Sequence, residues 1–182
     1  MKGFIAALVA IVSVGAGVLI AYVNYNNDAE ALETAIEVQY KGNQSELANY
    51  GLKVVEAAKV SDKMKDALTE VATAAIQGRY GTEGSKAVFQ WIQEQNPTVS
   101  PELYVQLQRI IEAGRTKFDN SQKLLLDKCG TYQNMRKQIP SKWFLSFAGF
   151  PKLGSLEKIC TPITSEHARD AFNTGVDKGV KF

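Results

Sequence analysis

The chain has 182 residues, of which 45% are hydrophobic, and its formal net charge is +2. This nearly balanced charge argues against a nucleic-acid-binding protein, which normally presents a strongly basic face. The two cysteines, Cys129 and Cys160, are too few for a disulfide scaffold and lack metal-ligand spacing, so we predict no metal or other cofactor. Whether they pair depends on the compartment, since disulfides persist outside the cytoplasm and rarely inside it.

An unbroken run of apolar or small residues extends from Phe4 to Val23, after a short flank at residues 1–3. A helix of this length is about 30 Å long, which matches the hydrocarbon thickness of a bilayer. We therefore predict a single-pass membrane protein with a transmembrane anchor at residues 4–23 and a water-soluble domain at residues 24–182. Representative membrane-spanning residues of this prediction are Phe4, Leu8, Val12, Leu19 and Val23.

Two other classes of protein begin with a comparable run. A cleaved signal peptide has a shorter apolar stretch followed by an A-x-A-like site, whereas this run ends in Ile20-Ala21-Tyr22-Val23-Asn24. A type IV pilin also opens its helix after Lys-Gly-Phe, but it carries a glutamate where this chain has Leu8, and the remainder here lacks strand signals. The pattern favours an uncleaved anchor, with cleavage as the alternative.

Flanking charges predict the orientation, because basic flanks stay in the cytoplasm. Lys2 precedes the run, whereas Asp28, Glu30, Glu33 and Glu37 follow it. We expect the N-terminus inside and the domain outside, at a bacterial inner or cytoplasmic membrane.

Small residues recur within the run at spacings of three and four. Such a face permits close contact with a second helix in lipid, so a second copy of the chain is a predicted partner besides the lipid bilayer. The predicted helix-pairing face consists of Ala6, Ala10, Ser13, Gly17 and Ala21.

Beyond the run, apolar residues recur with a helical period. The first long helix extends from Asp28 to about Val60, and Ser61 is the predicted N-cap of the second. The inward stripe of the first is Leu32, Ile36, Tyr40, Leu47, Tyr50, Val54 and Ala58, with Asn43 in the one polar position. The stripe of the second is Met64, Leu68, Val71 and Ala75.

The stretch from Gly78 to Gly84 has the glycine density of a phosphate loop. It lacks the Gly-Lys-Ser/Thr ending and the preceding strand of such loops, so it predicts a turn or hinge. Val88, Trp91 and Ile92 continue a helical face that must end at Asn96-Pro97.

The last long helix has the strongest signals. Ser100-Pro101-Glu102 supplies a hydroxyl cap, a proline in the first turn and an acid near the positive end of the dipole, and Pro140 ends the helix. Its coiled-coil-like seam is Tyr104, Leu107, Ile111, Gly114, Phe118, Ser121, Leu125, Lys128, Tyr132, Met135 and Ile139. The polar or small positions at Gly114, Ser121 and Lys128 indicate either register control or close helix approach.

Aromatic residues are dense at positions 143–151, after Pro140. Such a segment either lies at a membrane interface or folds back to close the end of a bundle, and the second interpretation is favoured. The remainder to Phe182 is rich in Gly, Thr, Ser and Lys and is predicted to be irregular.

The charge is unevenly distributed along the chain. Residues 1–100 carry 8 Lys/Arg and 11 Asp/Glu, and residues 101–182 carry 13 and 8. This asymmetry favours complementary helix surfaces packed side by side, with a basic patch for anionic lipid or a partner as the alternative.

Several short motifs carry a family resemblance. In chain order they are Asn96-Pro97, Leu107-Gln108, Glu112, Tyr132, Asn134, Ile139-Pro140, Phe147-Ala148-Gly149-Phe150 and Val180-Lys181-Phe182. Together with an apolar anchor followed by Asn24-Tyr25-Asn26 and a long helix, they resemble the LemA family over nearly the whole chain. Two departures mark a divergent member, of bacteriophage or distant bacterial type: residues 42–50 lack the family's usual stretch, and Ile139 replaces an aromatic residue.

The resemblance implies an all-α fold, in which an N-terminal transmembrane helix is followed by an antiparallel four-helix bundle of long helices. It implies no enzyme chemistry, and the biochemical role of the family is poorly defined.

Catalytic residues are not recognisable in the sequence. The single histidine, His167, has the neighbours of a solvated surface residue, and carboxylate pairs such as Glu30 and Glu33 or Asp62 and Asp66 have spacings typical of surface charge. We therefore expect a non-enzymatic module that presents its bundle to a protein partner. The alternative is a bundle that binds a small ligand or lipid near Asn43, Gly114, Ser121 and Lys128, and an enzyme is less favoured than either.

Overall fold

A computed structural model of the chain describes residues 2–80, 83–97, 99–164 and 166–176. These residues form helices and no strands, which confirms the predicted all-α class. The helices are α1 (Lys2–Ala58), α2 (Lys65–Ile76), α3 (Gly84–Gln95), α4 (Pro101–Lys137), α5 (Ser141–Phe147), α6 (Leu156–Ile159) and α7 (Glu166–Thr174). A 3-10 turn at Asp62–Met64 precedes α2.

The chain divides into two compact units, which we call the first unit and the second unit. The first unit comprises Met1–Val38 and Leu125–Thr161, and the second comprises Gln39–Leu124 and Pro162–Phe182. The predicted single domain at residues 24–182 contained no such division.

Helix α1 is one unbroken helix of 57 residues, so the apolar run continues directly into the amphipathic helix that the sequence predicts from Asp28. The chain has no proline before Pro97, so no residue of α1 lacks the backbone N–H that helical hydrogen bonds require. The helix ends where Lys59 adopts a positive φ of 49°, a conformation common just beyond helix C-termini. The predicted inward stripe is confirmed at its buried members Ile36, Asn43 and Val54.

The second unit has an apolar core. Its buried residues come from four helices and are Val54, Val55, Leu68, Ala72, Ala75, Ile76, Val88, Ile92, Leu107, Ile111 and Phe118. Helices α2 and α3 have 12 residues each, so they are shorter than the long helices expected.

A turn connects α2 to α3, as the glycines predict. Gly78 has a φ of +83°, which favours glycine, and a Cβ on Gly84 would lie 3.3 Å from the Cβ and carbonyl oxygen of Ala75. Glycine at position 84 therefore lets α2 and α3 approach closely. Gly81 and Thr82 lie outside the described residues.

Helix α4 begins at Pro101 and ends at Lys137, shortly before Pro140, as predicted. The backbone N–H of Glu102 itself and then the Ser100 hydroxyl hold the pKa of the Glu102 carboxyl below its usual value, which is consistent with a capped helix start. The seam is buried at Leu107, Ile111, Gly114, Phe118, Ser121, Leu125 and Tyr132. Its last predicted member, Ile139, is 66% exposed, because the helix has ended two residues earlier.

The C-terminal part of the chain is more regular than the sequence predicts. Helices α6 and α7 lie in the region expected to be irregular. Short helices of this kind carry too few apolar repeats to be recognised by periodicity. The motif Val180-Lys181-Phe182 lies outside the described residues.

Candidate functional site in the first unit

A buried carboxylate joins α1 to the segment that follows α5. Glu33 is 6% exposed and accepts hydrogen bonds from the Tyr132 hydroxyl, from the backbone N–H of Lys152 at 3.1 Å and from that of Leu153 at 2.9 Å. The Lys152 ammonium pairs with the exposed Glu30 at 2.6 Å. We call Glu33, Tyr132, Lys152 and Leu153 the Glu33 clamp. A buried carboxylate with three donors is well satisfied, so the clamp fixes the position of the segment.

Tyr132 is fully buried, and burial together with its hydrogen bond to Glu33 raises the pKa of its hydroxyl well above the ordinary value. The phenol therefore stays neutral at physiological pH. A neutral, buried phenol that donates to a carboxylate serves to hold structure.

Sequence reasoning missed the clamp because it assigned Glu30 and Glu33 to surface charge. That prediction is wrong for Glu33 and correct for Glu30, which is exposed. The periodicity contained the signal: Glu33 lies four residues after the buried Ala29 and three before the buried Ile36, which places it on the inward face.

A disulfide links Cys129 of α4 to Cys160, with the Cα atoms 5.8 Å apart. The sequence left this pairing open, since it depends on compartment. The segment after α5 is thus held to α4 by a covalent bond and to α1 by the Glu33 clamp.

Aromatic side chains cluster where the apolar run ends. The ring of Phe144 in α5 stacks on Tyr25 at a centroid distance of 5.7 Å and meets Tyr22 edge-on at 6.1 Å. Phe147 also meets Tyr22 edge-on at 6.1 Å. We call Tyr22, Tyr25, Phe144 and Phe147 the aromatic cluster.

An open groove of about 640 Å³ lies beside these elements. It offers both apolar surface, from residues such as Leu32 and Met135, and polar groups, from residues such as Asp28 and Asn134. Its lining is Tyr25, Asp28, Ala31, Leu32, Thr131, Asn134, Met135, Gln138, Ile139 and Ser141. A groove with mixed chemistry that opens to solvent suits contact with a segment of another protein.

The predicted membrane-spanning residues Phe4, Leu8, Val12, Leu19 and Val23 are all exposed. Four of the five residues on the predicted pairing face are also exposed, with Ala21 half-buried, and the Ser13 hydroxyl donates to the Val9 carbonyl at 2.9 Å. Helix α1 is thus long and apolar enough to cross a membrane, and none of its most apolar 18-residue window is buried. Self-association through the pairing face stays a prediction.

Neighbouring side chains satisfy or fill most of the polar and small positions predicted to surround a ligand. In the second unit, Asn43 accepts a hydrogen bond from Gln39 at 2.9 Å, and the Ser121 hydroxyl donates to Glu46 at 2.6 Å. A Cβ on Gly114 would lie 3.1 Å from Tyr50 and 3.2 Å from Ile76, so neighbouring side chains fill the space there. Lys128 belongs to the first unit.

Complementary charge, as predicted from the two halves of the sequence, occurs within each unit. Glu46 pairs with Lys117 at 3.3 Å, and Glu30 pairs with Lys152. In the part of the chain that the structure describes, His, Cys, Asp and Glu residues form no group of three able to hold a metal ion. The side chain of His167 lies outside that part.

No family model, characterised protein or solved structure matches this chain. The resemblance to the LemA family therefore stays a prediction from short motifs. Within those motifs, Leu107 and Tyr132 are buried, Gln108 donates to Glu112 at 3.0 Å, and Gly149 has a φ of +77°.

Proposed function

We propose that this protein is a single-pass membrane protein whose N-terminal helix anchors a non-enzymatic helical module. The observation that carries the proposal is the exposed apolar run at the start of α1, which continues without a break into a folded unit. A contiguous apolar surface of that size is rare on soluble proteins. Continuity with the folded unit favours an anchor over a cleaved signal peptide.

The folded part lies outside the cytoplasm in this proposal. Two independent features support that orientation: Lys2 precedes the apolar run while acidic residues follow it, and Cys129 and Cys160 form a disulfide. Basic flanks stay in the cytoplasm, and disulfides persist in oxidising compartments.

Cysteine labelling of intact cells tests this orientation. We expect a membrane-impermeant maleimide to label Ser61→Cys, an exposed position in the second unit. The matched control is Gly3→Cys, which keeps Lys2 and has open space around it, and which should be labelled only after lysis. Labelling of Gly3→Cys with protection of Ser61→Cys would reverse the orientation.

The module interacts with a protein partner through the groove of the first unit. The groove-lining residues Tyr25 to Leu32 follow Val23 by about 3 to 14 Å along the helix, so they lie close above the bilayer. A partner that contacts this groove is itself a membrane protein or is recruited to the membrane surface.

Site-specific photocrosslinking tests the groove. A photoreactive residue at Asn134, which lines the groove, should give a crosslinked species of discrete mass, while one at the exposed Lys158 in the same unit should not. Deleting residues 1–23 should abolish the crosslink if the partner is met at the membrane. Equal crosslinking at both positions, or none at Asn134, would contradict the assignment of the groove.

The chain is a divergent member of the LemA family in this proposal, and its second unit is an antiparallel four-helix bundle. The apolar core with contributions from α1, α2, α3 and α4 supports the bundle. The buried motif residues Leu107, Tyr132 and Phe150 support the family assignment.

A further inference from the structure

Helix α5 carries two large apolar side chains that are mostly exposed. Trp143 is 63% exposed and Phe147 is 85% exposed, while Leu145 and Ser141 on the same helix are buried. Trp143 and Phe147 are four residues apart, so they share one helix face. We call Trp143 and Phe147 the α5 face.

Contacts with α1 fix the position of this face along the chain's apolar helix. Phe144 and Phe147 both contact Tyr22, which is the penultimate residue of the apolar run. Phe144 also stacks on Tyr25, the second residue beyond the run. Helix α5 therefore lies level with the outer end of the segment that would cross the membrane.

Exposed apolar side chains lie near this point on both elements. Leu19 and Val23 of α1 are exposed on the run, and Trp143 and Phe147 are exposed on α5 at the level where the run ends. Tyr and Trp are the residues that membrane proteins place at the boundary between headgroups and acyl chains, because each has an apolar body and a polar group.

We propose that the α5 face inserts into the outer headgroup region of the bilayer and acts as a second membrane contact beside the transmembrane helix. This inference rests on the membrane anchor proposed above. It favours the membrane-interface interpretation of the aromatic segment over closure of a bundle end: Leu145 is buried, and Trp143 and Phe147 meet lipid.

A second contact has a mechanical consequence. A single helix can tilt and rotate in the bilayer, and interfacial anchors limit those motions. The Glu33 clamp and the disulfide hold the segment that follows α5. Insertion of α5 therefore fixes the height of the first unit above the bilayer and its rotation about the transmembrane helix. The groove is thereby presented to a partner in one orientation.

Fluorescence quenching by brominated lipids tests the insertion. The chain has two tryptophans, Trp91 and Trp143, so the Trp91→Phe variant reports on Trp143 alone. In phosphatidylcholine vesicles, the fluorescence of the full-length variant should fall about twofold when the acyl chains are brominated near the headgroup. The decrease should be smaller when the acyl chains are brominated deeper. If Trp91→Phe does not fold, the quenching of Trp143 is obtained by subtracting the fluorescence of Trp143→Phe from that of the wild-type protein.

Matched substitutions locate the effect on α5. Phe147→Ser should weaken the quenching of Trp143, whereas Phe172→Ser, at a comparably exposed phenylalanine of the second unit, should leave it unchanged. Equal effects of the two substitutions would overturn the assignment to the α5 face.

Flotation of the same vesicles separates this inference from the anchor. Protein that floats with the vesicles while Trp143 remains unquenched and solvent-exposed overturns the insertion of α5 only. Trp143 emission that shifts to the blue without quenching means that a second copy of the chain covers the face, which also overturns the insertion. Protein that does not float overturns the anchor and the inference together.

Discussion

Different kinds of interaction stabilise the two units of this protein internally. The second unit has an apolar core with contributions from four helices, whereas the first unit adds a buried carboxylate, a disulfide and stacked aromatic rings to buried apolar residues such as Ile36 and Leu145. Apolar packing distributes stability over many contacts, and each polar or covalent link concentrates it in a few atoms. We therefore expect that few residues of the first unit are sensitive to substitution, and that each such substitution destabilises mainly that unit.

Each unit contains one tryptophan, which makes the comparison measurable. Trp143 belongs to the first unit and Trp91 to the second. Urea unfolding followed in Trp91→Phe and in Trp143→Phe therefore reports on the two units separately.

Removing the disulfide should have the largest effect and should fall on the first unit. The bond closes a loop between residues 31 apart, so replacing both cysteines by serine should lower the free energy of unfolding by about 4 kcal/mol. The Trp143 transition should move to lower urea, with a smaller change at Trp91. Reduction of the wild-type protein should reproduce the shift, and a reductant that leaves the Trp143 transition of the oxidised protein in place would contradict the prediction.

Truncating a core leucine should affect the second unit instead. Leu107 is fully buried, so Leu107→Ala should cost about 3 kcal/mol, measured through Trp91. Leu124→Ala is the matched control on the same helix, since Leu124 is 54% exposed and should change the free energy of unfolding by less than about 0.5 kcal/mol. Similar costs for the two substitutions would show that the apolar cluster does not dominate this unit.

Neutralising the buried carboxylate tests the Glu33 clamp. Glu33→Gln leaves one oxygen acceptor and places an NH2 group, which is a donor, opposite a backbone N–H donor. It should therefore lower the free energy of unfolding, measured through Trp143, by about 2 kcal/mol. Glu30→Gln removes only the exposed ion pair with Lys152 and should cost less than about 1 kcal/mol. A larger cost at Glu30 than at Glu33 would contradict the role of the clamp.

Alkaline pH should weaken the first unit by the smallest amount. The pKa of Tyr132 is raised in the folded protein, so the neutral phenol contributes stability that is fully present below the ordinary tyrosine pKa of about 10. Between pH 10 and pH 11 the unfolded chain ionises more readily than the folded one, so this stability falls by about 1 kcal/mol. Urea unfolding at several pH values should show this slope in Trp91→Phe, and Tyr132→Phe should remove it. The same slope in both proteins would assign it to another group.

The sequence predicts those features of this fold that depend on neighbouring residues. The ends of α3 and α4 follow from Pro97, Pro101 and Pro140, because proline acts through its own ring and its missing N–H. The inward stripes of α1 and α4 follow from helical periodicity, as the buried Ile36, Val54 and Leu107 confirm. The prediction is wrong for Ile139, because periodicity alone does not indicate where a helix ends.

The all-α class, the exposed apolar run, the end of α3 and both ends of α4 follow from the amino-acid sequence alone, since these arise from interactions between residues a few positions apart. The burial of Glu33 and its hydrogen bonds depend on the tertiary structure, because its backbone donors at Lys152 and Leu153 are 119 and 120 residues away. The tertiary structure likewise decided that Cys129 meets Cys160 and that α5 lies level with the end of the apolar run. Such contacts join distant parts of the chain, and they form because the folded backbone brings groups with matching chemistry together.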